Sequence, residues 1–266
     1  MYSKILVPSY KRAEQTKKRY VSTLNWLVAA GFCPVLFVRP EEAVEYRRYW
    51  PHLELWTTTA TNIAETRDDA VRQAAELGVE RLLMFDDDLT FRTVLGEGEE
   101  YWSGKTRNMT LPDVRNAVNT VIDACTAKVP MTGMMYQMFS NGLKEVLSYN
   151  KRIQYAVCLH VPTVIENGWT YSWEAEFMED FQFQLSVLQS GYTTVRFNRW
   201  LLQSPQPQAM PGGCSEQRTP DKQTAAAVAL CQRFPEYVRL RYKYSKTWNT
   251  TYADVSVSFN KFGKRQ

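Results

Sequence analysis

The chain has 266 residues, 44% hydrophobic and 23% charged, with 32 Lys and Arg against 28 Asp and Glu and a net charge of +4. That length can bury a full core, and the composition excludes a disordered or fibrous protein. Five scattered cysteines without a C-x-x-C pair, together with only two histidines, argue against a disulfide framework, a zinc centre and a Ser-His-Asp triad.

Lys4 to Pro8 reads as a first buried strand. Gln15 to Ala30 reads as a helix with Tyr20, Leu24, Leu27 and Val28 on one face and Gly31 at its end. The opening MYSKILVPSYKR is a short strand followed by charge, unlike a signal peptide, and no apolar run reaches the roughly 18 residues of a membrane span. Both features point to a cytoplasmic protein with no membrane partner. Pro34 to Val38 is a second strand, Glu41 to Trp50 a helix stopped by Pro51, and Leu53 to Thr57 a third strand. Asn62 to Leu77 is a strong helix with Ala70, Val71, Ala74 and Leu77 inward and Gly78 as its cap. It leads into a fourth strand at Arg81. Strands alternating with helices predict a Rossmann-like α/β fold with a mostly parallel central sheet.

That fourth strand runs straight into Asp86, Asp87 and Asp88. Adjacent carboxylates repel, so the triplet is either a solvated acidic turn or a site where a cation compensates it. Strand alternation turns Asp86 and Asp88 the same way and Asp87 the other, which presents a D-x-D pair to one hard cation. Ligands of parallel sheets bind beyond the carboxyl ends of the strands, where the triplet falls together with Pro8 to Arg12.

From Leu89 to Thr110 the pattern lapses, which predicts a mobile loop that can act as a lid. Leu111 to Lys128 is helical, with Pro112 in its first turn, and PMTGMM is a fifth strand. Glu145 to Tyr149 and Arg152 to Val161 are β-rich runs around a turn at Asn150-Lys151, so antiparallel strands enter in the second half. Glu179 to Ser190 is a helix with Phe181, Leu185 and Leu188 aligned, and Thr193 to Leu202 a further strand. A proline- and glycine-rich loop, SPQPQAMPGG, precedes a helix from Pro220 to Arg233 with Thr219 as N-cap. The last segment carries Arg233, Arg239, Arg241, Lys243, Lys246, Lys261, Lys264 and Arg265 against Glu236 and Asp254 only. Tyr237, Tyr242, Tyr244, Trp248, Tyr252 and Phe259 are interleaved with them. Cations among aromatic rings suit phosphate contact and base stacking together, and a solubilising tail is the alternative. A second basic cluster is Lys11, Arg12, Lys17, Lys18 and Arg19.

Four segments, LVPSYKR at 6–12, NIAETRDDAVRQA at 62–74, MFDDDL at 84–89 and MEDFQFQLSVLQSGY at 178–192, together resemble the GT-A class of nucleotide-sugar glycosyltransferases. Within it the chain looks most like the bacteriophage glycosyltransferases associated with TET/JBP-type base oxygenases. The resemblance implies a GT-A domain over 1–232, with 233–266 as a basic, aromatic C-terminal extension packed on it. It implies transfer from a nucleoside-diphosphate sugar, UDP-linked by expectation, to a hydroxymethylated pyrimidine in DNA, with inversion, in the cytoplasm of a host if the chain is a phage protein. Pro8, Ser9 and Arg12 would lie under the nucleotide, with Arg67 near its base or diphosphate. Asp86 and Asp88 would hold Mn²⁺ or Mg²⁺, and Asp180 would be the catalytic base, with Glu179 its nearest competitor and Glu174 and Glu176 still open. Many members supply a metal-ligating His near the C-terminus; this chain has none after His160, so water, another side chain or the donor would complete the coordination, or metal dependence is weaker, and Arg218 would be a second phosphate contact, with a plain surface turn as the alternative. The alternative functions are transfer to a glycan, protein or small-molecule hydroxyl, nucleotidyl transfer, or nucleic-acid binding without catalysis. His160 reads as a core histidine, while Trp169 and Trp173 suit either acceptor stacking or the core.

Overall fold

In the computed structural model, which describes residues 2–17, 22–95, 105–140, 145–205 and 218–263, the apolar runs form strands. These are β1 (Ser3–Pro8), β2 (Val35–Val38), β3 (Leu55–Thr57), β4 (Arg81–Phe85), β5 (Thr90–Val94), β6 (Thr106–Asn108), β7 (Met131–Tyr136), β8 (Leu147–Tyr149), β9 (Ala156–His160) and β10 (Thr194–Gln203). They build one ten-stranded sheet in the order β3-β2-β1-β4-β9-β7-β10-β5-β6, with β8 also on β10. Among the described residues, β5, β8 and β9 run against the direction of the other strands. The sheet is therefore mostly parallel. All of β4 is buried, as expected of a continuous apolar strand covered on both faces.

Helices α1 (Thr23–Ala29), α2 (Ala43–Tyr49) and α4 (Leu111–Ala124) close one face over a core that includes Leu24, Tyr46, Phe85 and Val118. Helices α3 (Ile63–Glu76), α5 (Val161–Glu166) and α6 (Glu179–Gln189) close the other, around Ala70, Leu82, Val164 and Phe183. A third cluster joins α6 to α7 (Pro220–Arg233) and to a separate hairpin, β11 (Val238–Ser245) and β12 (Thr250–Val257), through Phe181, Leu185, Leu230, Val238 and Val255. No helix among the described residues is long and apolar enough to cross a membrane.

Several expectations are corrected. The helix over 15–30 is broken into a short 3-10 turn at Gln15–Lys17 and α1, and Val28 is exposed. Polar side chains cause the break: Ser22 Oγ donates to the Thr16 carbonyl, and Trp50 Nε1 donates to Thr16 Oγ1 at 2.8 Å. Leu77 is exposed because α3 ends in a left-handed Gly78, whose N–H bonds the Ala75 carbonyl while the Val79 N–H bonds that of Ala74. This termination buries Val79 instead. Part of the loop expected over 89–110 is the β5–β6 pair, its strands tied by Arg92 to Thr106 and Asn108. The runs around Asn150-Lys151 do not pair with each other: β8 joins β10, while β9 inserts between β4 and β7. A Cβ on Gly133 of β7 would collide with Ile153 Cγ2 and the Ala156 carbonyl, so glycine lets the chain entering β9 lie against the sheet. Tyr20, Lys18, Arg19, Lys264 and Arg265, the glycine-bearing stretch 96–104 and the loop 206–217 lie outside the described residues.

Candidate active site

The carboxyl ends of β1, β2, β3 and β4 open onto a trough of about 710 Å³. Its floor is the acidic turn after β4. Thr23, fully buried at the start of α1, clamps this turn: its N–H donates to the Asp87 carbonyl at 3.1 Å and its hydroxyl to the Asp86 carbonyl, while the same hydroxyl accepts from Leu89 N at 3.1 Å. Asp86 N donates to the Tyr155 carbonyl at 2.9 Å. Thr23→Val keeps the shape and the backbone bond to Asp87 but removes both hydroxyl bonds; a loss of about 1–3 kcal/mol in urea unfolding is expected.

The acids are crowded and only partly matched by cations. Arg12 Nη1 donates to Asp87 Oδ1 at 2.6 Å and to Asp88 Oδ2 at 2.9 Å. Ser9 Oγ donates to Asp87 Oδ2 and shares a 2.7 Å bond with the Tyr46 hydroxyl, so Asp87 is buried beneath the β1 side of the trough. Arg67 lies in α3 with Nη1 donating to Glu179 Oε1 at 2.7 Å and Nη2 to Asp86 Oδ1 at 3.2 Å. It thereby ties the acidic turn to the first residue of α6. Arg152 Nη2 donates to Asp180 Oδ2 at 3.0 Å. Burial, with Asp88, Asp87 and Glu179 close by, pushes the Asp86 carboxyl up to about 7 against the pull of Arg67. Burial and Asp87 raise Asp88, and burial raises Glu179.

Chain reversals in the left-handed region aim these groups. Lys11, Tyr155 and Met178 all have positive φ, and each adjoins or stands near a charged residue of the trough. Such strain is characteristic of sites whose surroundings over-determine them. Met178 delivers Glu179 and Asp180 as the first residues of α6, where the helix dipole favours a carboxylate.

Among the described residues, no group of three or more His, Cys, Asp and Glu side chains is arranged to hold a metal ion. Asp86 and Asp88 nevertheless fit a hard cation in donor type: they are oxygen ligands, and Asp86 is held back from ionisation by burial first and by neighbouring negative charge second, the latter of which a divalent ion would relieve. The remaining coordination positions would fall to a bound diphosphate and water.

A family model described as TET-Associated Glycosyltransferase matches residues 3–213. The chain belongs to this family. No curated protein matches the chain in sequence. Among solved structures, the mannosyltransferase PcManGT from Pyrobaculum calidifontis, in complex with GDP-Man and Mn²⁺, superposes with a TM-score of 0.54 at 13% identity, over 88% of this chain and 63% of that one. S. aureus TarS 1-349 in complex with UDP-GlcNAc is similar at a TM-score of 0.49 and 12% identity, over 87% of this chain and 67% of that one. TarS 1-349 alone gives a TM-score of 0.47 at 14% identity, over 87% of this chain and 66% of that one. The chain thus spans a little under two thirds of the length of the mannosyltransferase whose fold it shares.

In this family member, Pro8, Ser9, Arg12, Arg67, Asp86, Asp88, Glu179, Asp180 and Arg218 all line the one trough. Arg67 does not pair with Asp68 or Asp69; Asp68 instead accepts from Tyr171 N at 2.6 Å, Ser172 N at 2.8 Å and the Thr170 hydroxyl at 2.5 Å, and so fixes the chain that leads to α6. Arg218 stacks over Phe177 at 5.1 Å. Glu174 pairs with Arg233 and Glu176 with Lys222, and neither lines the trough. His160 is buried, bonded through Nδ1 to Thr163 Oγ1 at 2.8 Å. Trp169 stands edge-on to Tyr192 at 5.0 Å, and Trp173 packs on the cluster shared by α6 and α7. Sequence reasoning missed Thr23, Asp68 and Arg152. It also missed Arg39, which stacks on Tyr10 at 4.0 Å near the N-terminus of α3.

Proposed function

We propose that this chain is a glycosyltransferase that moves a sugar from a nucleoside diphosphate, UDP by expectation, to a hydroxymethylated pyrimidine in DNA, with inversion and with Mn²⁺ or Mg²⁺. The observation that carries this reading is the convergence of the acidic turn and the Glu179-Asp180 pair on one trough, joined through Arg67. The fold-mate crystallised with GDP-Man and Mn²⁺ supports a sugar nucleotide and a divalent cation as the ligand class.

The sheet-edge end of the trough, with Tyr10, Arg39, Asn62 and Thr66, would take the nucleoside, and Arg12 and Arg218 supply positive charge along the path of the diphosphate. Asp86 and Asp88 would hold the cation, whose charge neutralises the leaving diphosphate. Asp180 Oδ1, with Oδ2 occupied by Arg152, would accept the acceptor's hydroxyl proton as that oxygen bonds to the anomeric carbon and the bond to the diphosphate breaks. The Arg67–Glu179 pair would keep Asp180 in register with the acidic turn. On the far side, the β11–β12 hairpin turns Arg241, Lys243 and Tyr252 into the same trough, a face suited to a polyanion.

The test measures nucleoside-diphosphate release from a panel of sugar nucleotides with Mn²⁺ or Mg²⁺, against DNA carrying hydroxymethylcytosine, hydroxymethyluracil or unmodified bases. Nucleoside mass analysis of the product is expected to show a hexose-sized gain on a hydroxymethyl base. Release independent of DNA would retain transfer and move the acceptor to another hydroxyl; no release with any donor would overturn the enzymatic reading.

A further inference from the structure

Beside Asp180 the trough has a wall unlike the rest of its lining. Tyr136 ends β7, and Met138 and Phe139 lie in the 3-10 turn Gln137–Phe139 that follows it, with Met138 73% and Phe139 37% exposed. Tyr136 meets Phe139 edge-on at 5.7 Å and Tyr155 at 4.9 Å, so the rim is braced from below. The Arg152 guanidinium lies 3.9 Å above the Phe181 ring and 6.0 Å from Phe139, which brings a cation, aromatic faces and the Asp180 carboxylate into one corner. Facing solvent across the same trough, Arg241 and Lys243 share the single carboxylate of Asp254, which leaves that hairpin face with an excess of positive charge.

We propose that this rim is the acceptor-base subsite, and that it takes a base out of its stack, with Met138 and Phe139 against the base face and Arg241 and Lys243 on the adjoining phosphates. The inference rests on the nucleic-acid reading of the acceptor given above. Its physical basis is access. A paired base offers only its edge in a groove about 12 Å wide, and its π faces are covered by neighbours. Asp180 is recessed, its side chain only 21% exposed and its Oδ2 held by Arg152. An unstacked base fits, presents its face to the rim and carries its hydroxymethyl oxygen to Asp180. Rings beside a basic face are the arrangement by which proteins hold single strands.

The test uses the full chain and a fluorescent oligonucleotide with one hydroxymethylcytosine, presented as a single strand, opposite a mismatch, or fully paired. Binding is followed by anisotropy and transfer by nucleoside mass analysis. The single strand and the mismatched duplex are expected to bind and react at least about 10-fold better than the paired duplex, because extrusion is then already accomplished. Phe139→Ala and Met138→Ala are each expected to weaken single-strand binding by about 5- to 100-fold. Val44→Ala, an exposed apolar position on α2 outside the trough, is the control that leaves binding unchanged. Lys243→Gln is expected to lower the salt dependence of binding by about 0.7 in log-log slope. Equal binding and turnover of paired and single strands, or indifference to both rim substitutions, overturns the proposal, as does failure to bind any oligonucleotide. If no donor is consumed yet single-strand binding still depends on Phe139, the subsite stands and the transfer reading falls.

Discussion

Asp180→Asn is expected to lower the rate of sugar transfer by about 10²- to 10⁴-fold, the range associated with losing a positioned general base. The amide keeps the shape and still offers its oxygen to Arg152, which donates to Asp180 Oδ2 at 3.0 Å, so the corner remains assembled. Donor binding is expected to be unaltered, because the proposed nucleoside end of the trough, with Tyr10, Arg39, Asn62 and Thr66, does not include Asp180. Single-turnover release of nucleoside diphosphate and a separate donor-binding titration distinguish the two effects. A variant within about 10-fold of the parent would move the base elsewhere, with Glu179 as the next candidate. Glu179 is a weaker candidate on geometry, since its Oε1 is held by Arg67 at 2.7 Å and it is more deeply buried than Asp180.

Arg67→Met is expected to be the most destabilising substitution in the site. Arg67 is the counter-charge that joins Asp86 to Glu179, with its side chain 13% exposed. Removing one partner of a buried ion pair while leaving the other costs about 3–5 kcal/mol, and here two carboxylates are left facing each other. Urea unfolding should show the loss, and transfer should vanish with it. Arg67→Lys is expected to recover only part, because one ammonium cannot reproduce the two-pronged bridge of a guanidinium. A loss below about 1 kcal/mol for the Met variant would mean that the acidic turn and α6 are held together by something other than this pair.

The parts of this site that could be read from the sequence are those whose chemistry is unusual in itself. Three adjacent aspartates at the end of an apolar strand stand out as either a solvated turn or a compensated site, and an acidic pair opening a helix is visible from the pattern alone. The supports are different. Thr23 looks like any first residue of a helix, and Asp68 like a solvated acid on a helix face. Each becomes specific only when the sheet brings residues 86–89 or 170–172 to it. The same cause explains the errors in secondary structure. The helix over 15–30 failed because Trp50 and Ser22 reach Thr16 from distant or unanticipated geometry, and Leu77 lost its inward place to Val79 through a turn decided at Gly78. The insertion of β9 between β4 and β7 could not be read from local alternation, since every residue of β9 is buried and carries no facial period.

The position of β4 also bears on which parts of the molecule can open. It has paired neighbours on both sides, and the amide of Asp86 extends the ladder one step beyond the strand to Tyr155. Amide exchange in such a centre requires opening on the scale of the whole fold. The charged turn is therefore expected to share the protection of this central strand. Among the described residues the β11–β12 hairpin pairs only with itself and rests on α7, so it can open as a separate, less protected unit. Under this arrangement the wall nearest solvent can breathe, as admission of the proposed polymeric acceptor would require, while the acidic floor keeps its geometry.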